Sequence, residues 1–419
     1  MRTKFLGFLS AAVLILGAGA GSAYAESFSL GGSFDGFGGW SHSDKNGPPV
    51  GRSQAFMNEL PTVCSASNAA GNCLVNFANV TPGDTDFGIY ETSLSLVGAG
   101  EINEYADMVF RLGVYAPGSG DDTAAAAGPG EVSLLVEQAY ADFHTDDGEL
   151  GMSIGRLAPN VGTSLHSADR GSPFLSIARS KLLPTLLTGG MAYYKSGEVT
   201  ASVMLYNDLI GTNNQTDLDL GYAVALAYTT DEMSARLSWF ASPEAFDAAR
   251  PGLPAPIAAL ALADPDNKNW VNVVNINTTM TMDEMSAYLD LTWRRDGFAG
   301  SKDPQAIAIG LGGELDMTDM LFGGLSFEWV HGNNDAGFIP VGLLSGTAGI
   351  NNEDTVVLNP YVGVHLAERT GLTLGYNLEH RSIDIPGDNN RNFHTVYVMA
   401  TAVFDSGSEP RSPTLHPLN

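Results

Sequence analysis

The sequence predicts an all-β protein: a transmembrane antiparallel β-barrel of about sixteen strands, with short turns at one end and long loops at the other. Three observations predict it. Apolar residues alternate with polar or small ones at period two in one segment after another, as along a strand with two unlike faces. The connections between these segments are alternately short and long. The five Trp all fall where a segment meets a long connection, so they share one rim. A soluble sandwich has no reason to show the last two regularities, whereas a barrel in a bilayer has turns on one side, loops on the other and aromatic residues at the interface.

The chain opens with Arg2 and Lys4, an apolar run from Phe5 to Ala20, and Ala23-Tyr24-Ala25, the three parts of a secretory signal peptide cleaved after Ala25. A membrane anchor is the alternative, but the run is short and Gly-rich. Loss of Arg2 and Lys4 takes the formal charge from −27 to −29. No later stretch approaches the ~20 apolar residues of a spanning helix. Yet 44% of residues are hydrophobic, only 16% are charged and 49 are Gly, which suits hairpins with an apolar outside better than a water-soluble chain. The acidic balance argues against a nucleic-acid partner.

Phe28 to Trp40 is a Gly-rich first strand, and Ser41 to Phe87 a long polar loop. That loop holds the only two Cys, Cys64 and Cys73. After export they are expected to form one disulfide, free thiols being the alternative; a metal site would need more ligands. Strands follow over Tyr90 to Leu96 and Met108 to Val114, joined by a turn at Gly98–Glu104. Glu131 to Phe143 is extended, Asp146–Glu149 turns, and Leu150, Met152 and Ile154 alternate with Gly151, Ser153 and Gly155. The irregular segment 158–186 is richer in basic residues than its surroundings. Strands resume at Leu187 and at Val199, with a turn at Lys195–Glu198. Leu218 to Tyr228 shows the clearest alternation, and Thr230–Glu232 turns into Met233 to Trp239. Trp270 to Thr281, Met285 to Arg294, Gln305 to Leu315, Leu321 to Val330, Val356 to Leu366, Leu372 to Arg381 and Phe393 to Phe404 continue the hairpins, with short turns at Thr281–Glu284, Asp316–Asp319 and Glu368–Gly371.

Trp40, Trp239, Trp293 and Trp329 end strands that run toward long loops, and Trp270 starts a strand leaving one, the pattern of an aromatic belt. Phe404 closes the last strand on the outward face. The Pro-containing tail 405–419 reads as disordered on the periplasmic side.

Inward parity assigns Glu91, Asp107, Glu137, Asp219, Asp290, Glu314, Glu328 and Glu379 to the lumen, together with Arg111, Arg236, Arg294 and Arg381. Charge is solvated in a lumen and costly on a lipid face. These groups either tune ion passage or pair with one another across strands. Arg156 and Gln138 fall on outward parity, so each requires a bulge or a place at the rim. Asp169, Arg170, Arg179 and Lys181 lie in segment 158–186. Folded inward, this basic loop would face an acidic wall and set up a transverse field; folded outward, it would meet only solvent. The Asx-rich segments Asp264–Asn267, Asn333–Asp335 and Asn351–Asp354 suit turn chemistry better than Ca²⁺, since none has the spacing of a known Ca²⁺ loop. His365 is an inward base candidate, but no nucleophile stands beside it by spacing, and neither GxSxG nor HExxH occurs.

Glu137-Gln138-Ala139-Tyr140, the acidic turn and Gly155-Arg156-Leu157-Ala158-Pro159 resemble paired strand motifs of Gram-negative outer-membrane porins, including general porins and the β-barrel porin-2 group. The resemblance runs from the signal peptide through Phe404. It implies a water-filled channel in the cell outer membrane for passive diffusion of ions and small hydrophilic solutes, not an enzyme, with no cofactor or metal. It implies a homotrimer among lipid and lipopolysaccharide, and a constriction loop after the motif. The strand ending at Phe404 is similar to the terminal signal read by the barrel-assembly machinery. Eight inward acids against four inward bases lead to an expected mild cation preference. A barrel lipase or protease and a closed structural surface protein are the alternatives.

Overall fold

The computed structural model describes residues 27–43, 66–67, 73–74, 85–117, 133–157, 161, 182–183, 187–206, 220–242, 271–296, 305–333, 352–367, 370–383 and 391–404. In chain order the strands are β1 (Ser27–Ser43), the short pair β2 (Ala66–Ser67) and β3 (Cys73–Leu74), β4 (Thr85–Asn103), β5 (Ala106–Pro117), β6 (Ser133–His144), β7 (Leu150–Leu157), β8 (Leu187–Ser196) and β9 (Val199–Tyr206). They continue with β10 (Gly221–Thr229), β11 (Met233–Ser242), β12 (Val271–Met282), β13 (Met285–Asp296), β14 (Gln305–Asp316), β15 (Leu321–Asn333), β16 (Asn352–Ala367), β17 (Thr370–Ile383) and β18 (Arg391–Phe404). All except β2 and β3 form one closed antiparallel barrel of sixteen strands, each paired to its sequence neighbour, with β18 closing on β1 from Gly32↔Phe404 to Ser43↔Phe393. Closure leaves no unpaired strand edge.

The period-two alternation becomes the two faces of the wall. Along β7 the outward Leu150, Met152 and Ile154 are exposed while Gly151 and Ser153 are buried in the interior. The same holds along β10, where Val224 and Leu226 point out and Ala223, Ala225 and Ala227 point in. Exposed outward Leu, Val, Ile and Met recur around the barrel, a continuous apolar surface far larger than a protein stable in water carries.

Seven connections of two to five residues gather at one end, and the long ones at the other. The turn expected over Gly98–Glu104 tightens to Glu104 and Tyr105, because β4 continues through Gly98, Ala99 and Gly100 opposite Phe110, Val109 and Met108. These glycines are strand residues: a Cβ on Gly98 would lie 2.3 Å from the Phe110 ring. In the β6–β7 turn Gly148 has φ 68°, the left-handed conformation that favours Gly. There the Thr145 hydroxyl and the Glu149 amide donate to the Asp147 carboxylate and hold its pKa below the ordinary Asp range.

Trp40, Trp239, Trp293 and Trp329 sit on outward positions three or four residues from the long-loop ends of β1, β11, β13 and β15. Trp270 lies outside the described residues. A second outward girdle of Phe143, Tyr194 and Tyr228 marks the short-turn end. The apolar band between two aromatic rims is the profile of a barrel that crosses a bilayer.

Two further expectations change. Strand β10 begins at Gly221, not Leu218. Asn352, Glu353 and Asp354, read as turn residues, instead extend β16 against Asn333, Gly332 and His331. His331 Nδ1 and Asp354 Oδ1 lie 2.8 Å apart, so an ion pair or hydrogen bond rather than turn chemistry occupies that carboxylate.

Candidate functional site: the lumen

The lumen wall is built from inward residues that pack as much as they ionise. Six aromatic side chains each lie over the glycine directly opposite on the neighbouring strand: Tyr193 over Gly151, Tyr206 over Gly221, Tyr288 over Gly312, Phe322 over Gly363, Tyr361 over Gly324 and Tyr397 over Gly375. A Cβ on any of these glycines would come within 2.1–2.6 Å of the ring. The glycines leave room for rings to lie flat on the wall, an arrangement that pins register and keeps the lumen clear. The hydroxyls are tethered: Tyr206 donates to Ala241 O at 2.7 Å, Tyr361 to Glu314 Oε2 at 3.1 Å and Tyr397 to Asn359 Oδ1 at 2.9 Å.

Of the expected lumen acids, Asp290, Glu314, Glu328 and Glu379 are buried on inward positions and Asp107 is half-buried there. Asp290 accepts hydrogen bonds from Asn275 Nδ2 at 2.7 Å and Thr292 Oγ1 at 2.9 Å, and Asn277 Nδ2 donates to Asn275 Oδ1 at 2.7 Å. That polar ladder along β12 and β13 is the cross-strand pairing expected where inward polar residues satisfy one another. Arg111 and Arg236 share the inward parity, opposite the buried Gln138 and Asn277. The backbone of Glu91 lies in β4 opposite Phe37, and that of Arg381 in β17 opposite Thr355. Asp219, Asp169, Arg170, Arg179, Lys181 and Cys64 lie outside the described residues, as do the signal peptide and the tail.

The pairing of β6 is irregular at Glu137. Arg111 pairs with Gln138 and Leu112 with Val136, so the register skips Glu137, which occupies a β-bulge. The extra residue reverses parity for the rest of β6. Gln138, Tyr140, Asp142 and His144 therefore face inward and are buried, while Ala139 and Phe143 face out. Asp142 and His144 escaped the sequence analysis for this reason. A signal was present: outward-type residues are even-numbered at Leu134 and Val136 and odd-numbered at Ala139, Ala141 and Phe143. Arg156 keeps outward parity, opposite Ala139 and Thr188, one residue from the end of β7 at the long-loop rim. The preceding Gly155 has φ 143°, and a Cβ there would lie 2.3 Å from Ala139 O.

One arc of the lumen is apolar. Leu157, Leu187, Met191, Met204, Tyr206, Phe240, Val271 and Val273 project inward near the long-loop ends of β7, β8, β9, β11 and β12, all buried. Val161 and Leu183, from the segment between β7 and β8, belong to the same buried cluster, and Leu182 beside them is fully buried. From β13, five strands further round the wall, the Arg294 guanidinium donates to Leu182 O at 3.4 Å.

His365 also faces inward, with Nε2 at 3.2 Å from Asp316 Oδ1 and its ring against Phe322 at the short-turn end. Among the described residues no hydroxyl is hydrogen-bonded to this imidazole.

No protein-family model matches the chain, and no curated protein matches it in sequence. Solved structures do. The outer-membrane channel DcaP of Acinetobacter baumannii superposes with a TM-score of 0.55 at 12% identity, over 90% of this chain and 97% of that one. The anion-selective porin of Comamonas acidovorans gives 0.54 at 12% identity, over 90% and 99%. The trimer form of OmpT, an outer-membrane protein of Vibrio cholerae, gives 0.50 at 10% identity, over 90% and 99%. At these identities the likeness is one of fold: the sixteen-stranded barrel of outer-membrane porins.

Proposed function

We propose that the chain is an outer-membrane porin that passes ions and small hydrophilic solutes by diffusion, with segment 158–186 folded into the lumen as a constriction. The observation that carries this reading is the hydrogen bond from Arg294 to Leu182 O. Leu182, five residues before β8, meets a side chain of β13 five strands away, and Val161, Leu182 and Leu183 are buried, which supports a segment turned inward. The apolar arc beneath them would be misplaced in an open aqueous channel and is explained as the seat of the loop. Sixteen strands enclose enough width for a water-filled path beside it.

Buried or half-buried inward acids outnumber the inward arginines, which supports a mild cation preference, reduced at the eyelet by Arg170, Arg179 and Lys181. The inward-turned segment, and the lack among the described residues of a hydroxyl hydrogen-bonded to His365, support a channel over a lipase or protease. The apolar outside supports placement in lipid among lipopolysaccharide, and the trimer form of the Vibrio protein supports a homotrimer.

Planar-bilayer recording tests the reading. Stepwise conductance is expected, with a reversal potential favouring cations that weakens as salt rises and the Debye length falls below ~8 Å. Replacing Arg170, Arg179 and Lys181 together by Ala should raise both conductance and cation preference. Channels unchanged by the triple replacement would put the loop outside the pore, and hydrolysis of lipid or peptide without conductance would favour an enzyme.

The disulfide is a separate expectation. The pairing of Ala66 with Leu74 and Ser67 with Cys73 folds the first long loop back on itself within the span of Cys64 and Cys73. Peptide mapping without reductant should recover the two cysteines in one linked fragment; two alkylatable thiols in the exported protein would refute it.

A further inference from the structure

The short-turn end of the lumen holds a cluster of two carboxylates and an imidazole. Asp107 on β5 lies directly opposite Asp142 on β6, and His144 follows two residues on, on the same inward face. One donor atom from each of the three lies within 4.8 Å of the other two. The His144 side chain is fully buried, whereas that of Asp107 keeps 13% of its surface open.

The hydrogen bonding around the cluster settles how His144 is set. Its Nδ1 lies 2.9 Å from Thr145 O, and a carbonyl can only accept, so Nδ1 carries the hydrogen. In a neutral ring Nε2 then presents a lone pair, and Nε2 is 3.4 Å from Asp107 Oδ2. Nε2 and the Asp107 carboxylate therefore converge on one point of a largely buried site, where a cation could be shared between them. Asp142 is held just as firmly. Ser153 Oγ donates to its Oδ1 at 2.6 Å and Tyr193 Oη to its Oδ2 at 2.8 Å, which orients the carboxylate and leaves each oxygen a further lone pair. An imidazole whose remote nitrogen donates to a carbonyl, beside a carboxylate fixed by hydroxyls, is the outer-shell arrangement of a metal ligand set.

We propose that Asp107, Asp142 and His144 form a divalent transition-metal site at the short-turn end of the lumen, of a kind that takes Zn²⁺. One imidazole and two carboxylates suit Zn²⁺ and its neighbours better than Mg²⁺ or Ca²⁺, which prefer oxygen alone. Three protein donors leave a coordination position for water. Among the described residues the His–carboxylate pairs His331 with Asp354 and His365 with Asp316 have no second carboxylate in such a cluster. The site needs only the folded barrel, so its test is independent of channel activity.

Isothermal titration of ZnCl₂ into the full barrel refolded in detergent should show one saturable site per chain, with no comparable heat from MgCl₂. His144→Gln and Asp107→Asn should each weaken Zn²⁺ binding at least tenfold. His394→Gln, which alters the outward ring stacked on His42, should leave it unchanged. Heat-modifiable mobility on gels verifies that each variant has folded; if His144→Gln does not fold, Asp107→Asn decides. Absence of saturable Zn²⁺ heat would overturn the proposal. Equal binding of Mg²⁺, or Zn²⁺ binding that survives both ligand substitutions, would overturn it too.

Discussion

Arg294→Ala is expected to raise single-channel conductance and add open-channel noise. Arg294 is buried on the lumen wall and donates to Leu182 O, a polar tie between β13 and the segment that leaves β7. A hydrogen bond from a charged group is worth about 1.5–3 kcal/mol, and at 3.4 Å this one belongs at the lower end. Losing about 1.4 kcal/mol shifts the balance between docked and undocked loop roughly tenfold. The apolar contacts of Val161 and Leu183 remain, so the loop should detach intermittently rather than permanently. Arg294→Lys should fall between, because an ammonium keeps the charge but lacks the planar fork. Planar-bilayer traces decide. A variant with wild-type conductance and noise would mean that the tie does not hold the constriction.

Gly375→Val is expected to cost the most stability of any single replacement considered. The new Cβ would lie 2.2 Å from Tyr397 Cζ and Oη, beside the seam where β18 closes on β1. Tyr397 is fully buried and donates to Asn359 Oδ1 at 2.9 Å, so the ring cannot move aside without losing that bond. Overpacking costs about 1–3 kcal/mol and a neutral hydrogen bond about 1 kcal/mol more, giving roughly 2–4 kcal/mol. Gly190→Ala is the matched control. Its nearest neighbour would be Ser153 O at 3.7 Å, an ordinary contact, and the change should stay within about 0.5 kcal/mol. Urea unfolding followed by heat-modifiable mobility measures both. Similar midpoints for the two variants would show that the flattened rings are not held by their glycines.

The arrangement behind that prediction was invisible in the sequence for a physical reason. The glycines of Gly98–Glu104 read as turn chemistry and the rest as the small residues of hairpins. Whether a strand glycine is a hinge or a platform depends on which side chain stands opposite, and register supplies that. Gly151 and Tyr193 are forty-two positions apart, and only the pairing of β7 with β8 brings them together. His365 and Asp316 meet in the same way, through β14 and β16 on either side of β15.

The local sequence by itself determined the number of strands, their order, the end that carries the turns, the outward face and the rim occupied by Trp. These follow from period two and from connection length, which neighbouring residues decide among themselves. Tertiary structure alone decided three things. The bulge at Glu137 turned Gln138, Asp142 and His144 inward, since one unpaired residue is defined only against a partner strand. The contact of Leu182 with Arg294 required the curved wall from β8 to β13 to assemble, because the two residues are 112 positions apart. The apolar arc under Val161 and Leu183 broke the rule of a polar lumen because those positions face protein rather than water, and which of the two a side chain meets is a property of the closed barrel, not of the strand that carries it.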